Sequence, residues 1–390
     1  MQRGTFKLMK SVNKSIVLNK IRLSEPISRA QIAKETSLTP PTVSSIVKEL
    51  IDQGLVRESM LGHSSGGRKP TMLHIHTNAF YVIGIDAGPE KVECILTDLT
   101  GKIIERTSSL LSKPITNEQF LSILMESIRE ILQISNMNQD KIIGIGIAMH
   151  GAVDIETGTS LVAPILNLRN IPIKAALEEE FNLTIKVEND ARAMALGESW
   201  FGGHGEVDSI VAVNIGRGVG AGVIINGKLY HGAQGIAGEL GHMTIDINGD
   251  VCECGNQGCL QTLVSGSSIA KRARKQVMKG ELTAKEIFEC AQNGNPACVH
   301  LLQETGEMIG IGLTNLIHLV NPSKIVLGGG VMKSEKFIMP ALLETIQQRI
   351  LTTEAKKTKV TVTRLGDDAT LLGAVALLLV ELFDPLGKIG

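Results

Sequence analysis

The sequence predicts an α/β fold: a winged helix-turn-helix head followed by a duplicated body. Three observations carry this. A strand that runs into a glycine turn and returns as a second strand occurs twice, at 81–96 and again at 209–225. A set of short helices with strong capping signals fills residues 13–53. Cys252, Cys254 and Cys259, with Gly241-His242 ten residues ahead of the first thiol, stand deep inside the second half.

The head is read in chain order. Residues 13–23 carry Ile16, Val17, Ile21 and Leu23 at helical spacing, and Glu25-Pro26 breaks the run. Ser28 is a good cap for a second helix over 29–36, with Ala30, Ile32 and Ala33 turned inward. After Ser37-Leu38, Thr39 caps a third helix whose first position is Pro40, where a missing N–H costs nothing. Val43, Ile46, Val47, Leu50 and Ile51 form its apolar stripe, and Gly54 ends it. The opposite face shows Thr42, Ser44, Ser45 and Lys48, a surface suited to a major groove. Residues 55–58 and 72–75 read as the strands of a wing. Between them, Gly66-Gly67-Arg68-Lys69-Pro70 suits insertion of Arg68, with Lys69 beside it, into a minor groove.

Charge supports the same division. Residues 1–75 hold twelve lysines and arginines against five aspartates and glutamates, while the whole chain of 390 residues is at −1. The body must therefore be at −8, and a basic head on an acidic body points the head at a polyanion. Aromatic residues are only 3%, which argues against stacking on single-stranded nucleic acid. Six cysteines, three of them clustered, indicate metal binding with a few buried thiols rather than a disulfide framework. The N-terminal residues lack the apolar run of a signal peptide, and 371–383 is too short to span a membrane. A cytoplasmic protein with no membrane partner is expected.

In the body, 118–132 reads as a helix, 141–148 as an apolar strand, 173–181 as a helix and 184–187 as a strand. Long helices fill 267–320. A buried strand at 324–327 enters Gly328-Gly329-Gly330, and a last helix begins near Ala369. Two similar halves are what a duplicated fold leaves. The expected domains are the head at 1–76 and a body at 77–390. The body has one lobe of 77–190 with the helix 369–383 and another of 191–368. Three thiolates and one imidazole at the observed spacing can close a tetrahedral structural zinc site with no open position.

Four segments now carry a specific resemblance: Glu188-Asn189-Asp190-Ala191, Gly235-Ile236-Ala237-Gly238-Glu239-Leu240-Gly241-His242, the Cys-x-Cys-Gly-x-x-Gly-Cys cluster, and Val326-Leu327-Gly328-Gly329-Gly330. With them the chain resembles the ROK family of sugar-responsive repressors and sugar kinases, across essentially its whole length. The head is similar to the repressor branch, and the segment 241–246 is similar to xylose repressors. The resemblance implies an actin/hexokinase-like (ribonuclease H-like) body, zinc on His242, Cys252, Cys254 and Cys259, and sugar contacts at Asn189, Asp190, Glu239 and His242. It also implies contacts at Gly151 and at Gln261, where the family has glutamate. Gly232, Gly235 and Gly238 would bring backbone close to the sugar. His150 stands where many relatives have proline.

In the kinase relatives, Asp190 would be the general base. Their first phosphate loop, Asp-x-Gly-Gly-Thr-Lys, reads here Asp86-Ala87-Gly88-Pro89-Glu90-Lys91, and Gly216-Arg217-Gly218 replaces Gly-Thr-Gly. Pro89 has no N–H to offer a phosphate, and Glu90 would set an anion beside one. The expectation is a sugar-responsive repressor, with xylose as a candidate effector, that binds operator DNA as a homodimer or homotetramer. The alternative is an ATP-dependent sugar kinase with an appended DNA-binding head.

Overall fold

A computed structural model describes residues 12–61, 70–205, 207–276 and 282–383. The chain divides into two units, Met1–Glu188 with Ala374–Gly390, and Asn189–Gly373.

In the first unit the head comprises α1 (Val12–Ser24), β1 (Ile27–Ser28), α2 (Arg29–Thr36), α3 (Pro40–Asp52), β2 (Val56–Leu61) and β3 (Thr71–Ile75). Capping sets the helix starts. The Gln31 N–H donates to Ser28 Oγ at 3.2 Å, and the Thr42 N–H to Thr39 Oγ1 at 3.4 Å. Ser37, at φ 57°, makes the turn between α2 and α3. Val17, Leu18, Ile21, Ile32, Ala33, Val43, Val47 and Leu50 form the core. Three expected core positions differ. Ile16 and Leu23 are exposed, at 37% and 65%, and Ala30 is exposed too. The inward stripe of α1 runs instead through Lys14, whose ammonium is buried against Glu49 of α3. The wing has a third strand that sequence reasoning missed, because β1 pairs antiparallel with β3 through only two residues.

The rest of the first unit is built on a five-stranded sheet. Its strands are β4 (Tyr81–Ala87), β5 (Lys91–Asp98), β6 (Ile103–Leu110), β7 (Ile142–Met149) and β11 (Thr184–Asn189), in the order β11-β7-β4-β5-β6. Asn189, the last residue of β11, already belongs to the second unit. Helices α4 (Asn117–Ser135) and α5 (Ile173–Phe181) bury Phe120, Leu124, Ile128 and Leu177 in a core shared with the sheet. A small sheet, β8 (Ala152–Asp154), β9 (Thr159–Ala163) and β10 (Leu168–Ile171), follows β7.

The second unit repeats the plan. Strands β12 (Ser209–Ile215), β13 (Val219–Ile225), β14 (Lys228–Tyr230), β15 (Lys324–Gly328) and β16 (Lys359–Val362) lie in the order β14-β13-β12-β15-β16. In both sheets a strand pairs antiparallel with its hairpin partner and parallel with a later strand: β4 with β5 and β7, β12 with β13 and β15. The duplication read from the two glycine turns is thus one of whole sheets. Asn226 and Gly227, at φ 51° and 74°, form the β13–β14 turn.

Helix α6 (Asp190–Phe201) packs directly on this sheet. A Cβ at Gly222 of β13 would lie 2.5 Å from Ala195 Cβ and 2.7 Å from the Ala191 carbonyl oxygen. Only glycine lets helix backbone sit so close, and this contact fixes where the start of α6 stands. Helices α7 (Gln261–Val264), α8 (Gly266–Gln276), α9 (Ala284–Gln292), α10 (Pro296–Val320) and α11 (Glu335–Arg349) complete the second unit's core. The last helix, α12 (Ala369–Phe383), begins in the second unit and ends in the first.

Candidate functional site

The site is built from the start of α6 and the loop that follows β14. Asn189 is the cap: its Oδ1 accepts from the N–H groups of Ala191 at 3.0 Å and Arg192 at 3.2 Å. Its Nδ2 donates to Asp190 Oδ1 at 3.0 Å, which orients the neighbouring carboxylate. Asp190 is half-buried. Burial raises its pKa to about 6, and the charge of Glu239 pushes the same way, against the Ala191 N–H and Arg192, which lower it.

Glu239 is brought to this place by backbone contact. Gly238, at φ 97°, presses on β13, where a Cβ would lie 1.9 Å from the Ala221 carbonyl oxygen. The Ala221 N–H donates to the Gly238 carbonyl at 2.8 Å. A Cβ at Gly241 would lie 2.1 Å from the Val219 carbonyl oxygen. Gly232 and Gly235 also take positive φ, 74° and 71°. Arg192, 2% exposed, anchors the loop through Nη1, which donates to the Gly235 carbonyl at 2.8 Å. Sequence reasoning missed Arg192, because an arginine in the first turn of a helix carries no signal that it is buried.

His242 ends a short 3-10 turn, Leu240–His242, and is half-buried. Its Nε2 lies 3.8 Å from Glu239 Oε2, and its Nδ1 lies 3.6 Å from Cys252 Sγ. Behind it the three thiols sit on a tight knuckle. The Cys252 N–H donates to the Asn256 carbonyl at 2.7 Å, and the Gly255 N–H to the Cys252 carbonyl at 2.9 Å. Gly258 takes φ 73°, where a Cβ would lie 1.5 Å from the Asp246 carbonyl oxygen. Cys254 Sγ and Cys259 Sγ are 3.7 Å apart, and all four donor atoms lie within 4.8 Å of one another.

These residues fit a zinc ion. Bonds of about 2.3 Å to sulfur and about 2.0 Å to nitrogen, arranged tetrahedrally, place donor atoms roughly 3.5–3.8 Å apart. The two observed separations match that spacing. The backbone N–H of Asn256 lowers the Cys254 thiol's pKa, whereas burial pushes Cys259 up to about 12. A thiolate at Cys259 therefore needs a cation beside it. Gln261 Nε2 donates to Cys252 Sγ at 3.2 Å, so this side chain is held on the thiol cluster.

Gly151 lies in the other unit, after β7, at φ 88°. Pro89 and Glu90 lie in the turn after β4 and Arg217 in the turn between β12 and β13; Pro89 is half-buried, and Glu90 and Arg217 are exposed. In the head, Ser44, Ser45 and Lys48 are exposed on one face of α3. Thr42 is half-buried, and its hydroxyl lies 2.8 Å from that of Thr39, so it takes part in the cap. Arg68 and Lys69 lie outside the described residues.

The head and the duplicated body with its glycine loop and thiol cluster define a class of DNA-binding regulator on a sugar-kinase-like frame. Comparison with known proteins agrees. The ROK family model matches residues 82–381, a MarR family model matches residues 11–61, and the chain belongs to the ROK family. It is 34% identical to the xylose repressor of Caldicellulosiruptor bescii, over 97% of this chain and 98% of that one. It is 31% identical to the N-acetylglucosamine repressor of Escherichia coli O157:H7, over 96% and 94%. A solved ROK-family transcriptional regulator, described as a homologue of the Escherichia coli MLC protein, superposes with TM-score 0.85 at 29% identity, covering 96% of this chain and 97% of its own. A Streptomyces griseus ROK glucokinase, solved with glucose and AMPPNP, gives 0.69 at 28% identity, over 76% and 98%. Among the described residues, no helix is long and apolar enough to cross a membrane.

Proposed function

We propose that the chain is a cytoplasmic, sugar-responsive repressor of sugar-utilisation genes. One observation carries the reading. A chain with a helix-turn-helix head also presents Asp190, oriented by Asn189 at the start of α6, and Glu239 beside His242 on the loop that Arg192 ties to the same helix. Two carboxylates can accept hydrogen bonds from several hydroxyls at once, which suits a polyol. Asn189, His242 and Gln261 complete the contacts on this unit. Zinc on His242, Cys252, Cys254 and Cys259 supplies no reaction chemistry; it fixes the imidazole so that Nε2 faces the ligand side. Operator DNA meets Thr42, Ser44, Ser45 and Lys48 in the major groove, with Arg68 and Lys69 on the wing. A dimer or tetramer then reads a palindromic site. Xylose is the first sugar to try, since the similarity to xylose repressors spans nearly the whole chain.

The kinase reading has one observation in its favour: a carboxyl at about 6 is well placed for a general base. Against it stand Pro89 and Glu90, which remove an N–H and add a charge where kinase relatives hold phosphate. Calorimetry of the full chain with D-xylose, D-glucose and N-acetyl-D-glucosamine, alongside a coupled assay with ATP and magnesium, separates the two. Sugar binding without product supports the sensor. Turnover near about 10 per second would establish the kinase.

A further inference from the structure

Gln261 stands where the family has glutamate, and its amide has a use here that a carboxylate could not serve. The residue opens α7, two places after Cys259, and is half-buried. The backbone around it is anchored. Leu260, just before the helix, is 1% exposed, and Val264 at its end is fully buried, both in the core of the second unit. The Thr262 N–H donates to the Cys259 carbonyl at 2.9 Å, so the helix grows directly out of the thiol knuckle. The Gln261 carbonyl accepts from Ser268 Oγ at 2.9 Å and from the Ser265 N–H at 3.2 Å. From this fixed start the side chain runs to Cys252, where Nε2 lies 3.2 Å from Sγ.

Chemistry decides which end of the amide faces the sulfur. A thiolate that ligates a metal carries no hydrogen and only accepts, and an amide oxygen has nothing to donate. Nε2 must therefore point at Cys252, with Oε1 turned away. Zinc held by three thiolates and a neutral imidazole leaves the cluster with a net negative charge, and Cys252 and Cys259 are buried. An N–H aimed at one sulfur draws off part of that charge. A carboxylate in the same place would repel it.

The geometry points to Gln261 as a positioning residue of the zinc centre, whose amide N–H donates to the Cys252 thiolate and holds the metal in its site. It acts through Cys252 on the metal and, through the metal, on the His242 ring. The inference rests on the zinc reading above. Outer residues of this kind govern metal affinity by about ten- to a hundredfold.

The test uses the full chain loaded with zinc. Gln261→Leu keeps an apolar side chain of similar bulk and has no donor. Gln261→Glu keeps the length and puts an acceptor where the donor stood. Competition with a chromogenic chelator reads zinc affinity, and the same proteins loaded with cobalt(II) show the thiolate-to-metal charge-transfer band. We expect Gln261→Leu to bind zinc about tenfold more weakly, and Gln261→Glu more weakly still. A sulfur that loses its N–H gives up an electron to the metal more easily, so the cobalt band should move to longer wavelength in both variants. Wild-type zinc affinity in a folded Gln261→Leu would overturn the proposal and leave the zinc site standing. So would weaker zinc binding with an unmoved band, which is what a merely structural role produces. Should both variants fail to fold, wild type loaded with NMR-active cadmium decides: a scalar coupling between the metal and the Gln261 side-chain amide proton is expected, and its absence overturns the proposal. Failure of wild type to hold near-stoichiometric zinc would overturn the zinc reading, and Gln261's role with it.

Discussion

At Asp190 the helix cap and the ligand contact overlap. The Ala191 N–H is shared between Asn189 Oδ1 and Asp190 Oδ1, Asn189 alone takes the Arg192 N–H, and the Asn189 amide holds the Asp190 carboxylate in place. Asp190→Asn should therefore abolish the sugar response and leave operator binding intact. Loss of a charge-assisted bond costs about 1.5–3 kcal/mol, roughly a tenfold to hundredfold drop in affinity, which calorimetry reads directly. The pH dependence has a definite sign. A carboxyl raised to about 6 contributes stability in its protonated form, present below the ordinary carboxylate range and lost as pH rises through about 6. Ligand binding runs the opposite way: the ionised form accepts more hydroxyls, so sugar affinity should fall as pH drops through about 6. A flat affinity from pH 5 to pH 7.5 would remove Asp190 from the contacts. The sequence showed Asn189, Asp190, Glu239 and His242 through their motifs. It did not show Arg192, whose burial depends on a loop more than forty residues away.

Among the elements, the thiol knuckle and α3 make the sharpest claims. Cys254→Ser should lose near-stoichiometric zinc and lower the melting temperature, because metal binding and local folding are linked. Metal analysis with a thermal melt checks both, and zinc lost with unchanged melting would contradict a structural role. Lys48→Ala, on the exposed face of α3, should weaken operator binding and reduce the salt slope by about one. Equal slopes in a salt titration would take Lys48 off the phosphates. Helix starts were legible because a hydroxyl cap leaves a local signature, as at Ser28 and Thr39. The inward phase of α1 was not, since Lys14 is buried by pairing with Glu49, a tertiary contact no local pattern carries. Nor was the sheet of β8, β9 and β10 legible: strands of three to five residues are too short for alternation to register.

For the whole molecule, the two sheets with matching strand order explain why two glycine turns sufficed to read a duplication. The rest of the repeat lies in parallel strands joined by helices of unequal length, which sequence spacing does not align. The account's central claim is that one chain couples sugar binding to operator binding without phosphorylating the sugar. The most direct measurement is the affinity of the full chain for a duplex selected from a random pool, taken with and without D-xylose, D-glucose and N-acetyl-D-glucosamine. The account predicts that at least one of these sugars changes operator affinity about tenfold or more, a coupling of about 1.4 kcal/mol, within the usual range for linked sites. Operator affinity unchanged by a sugar that calorimetry shows to be bound would contradict it.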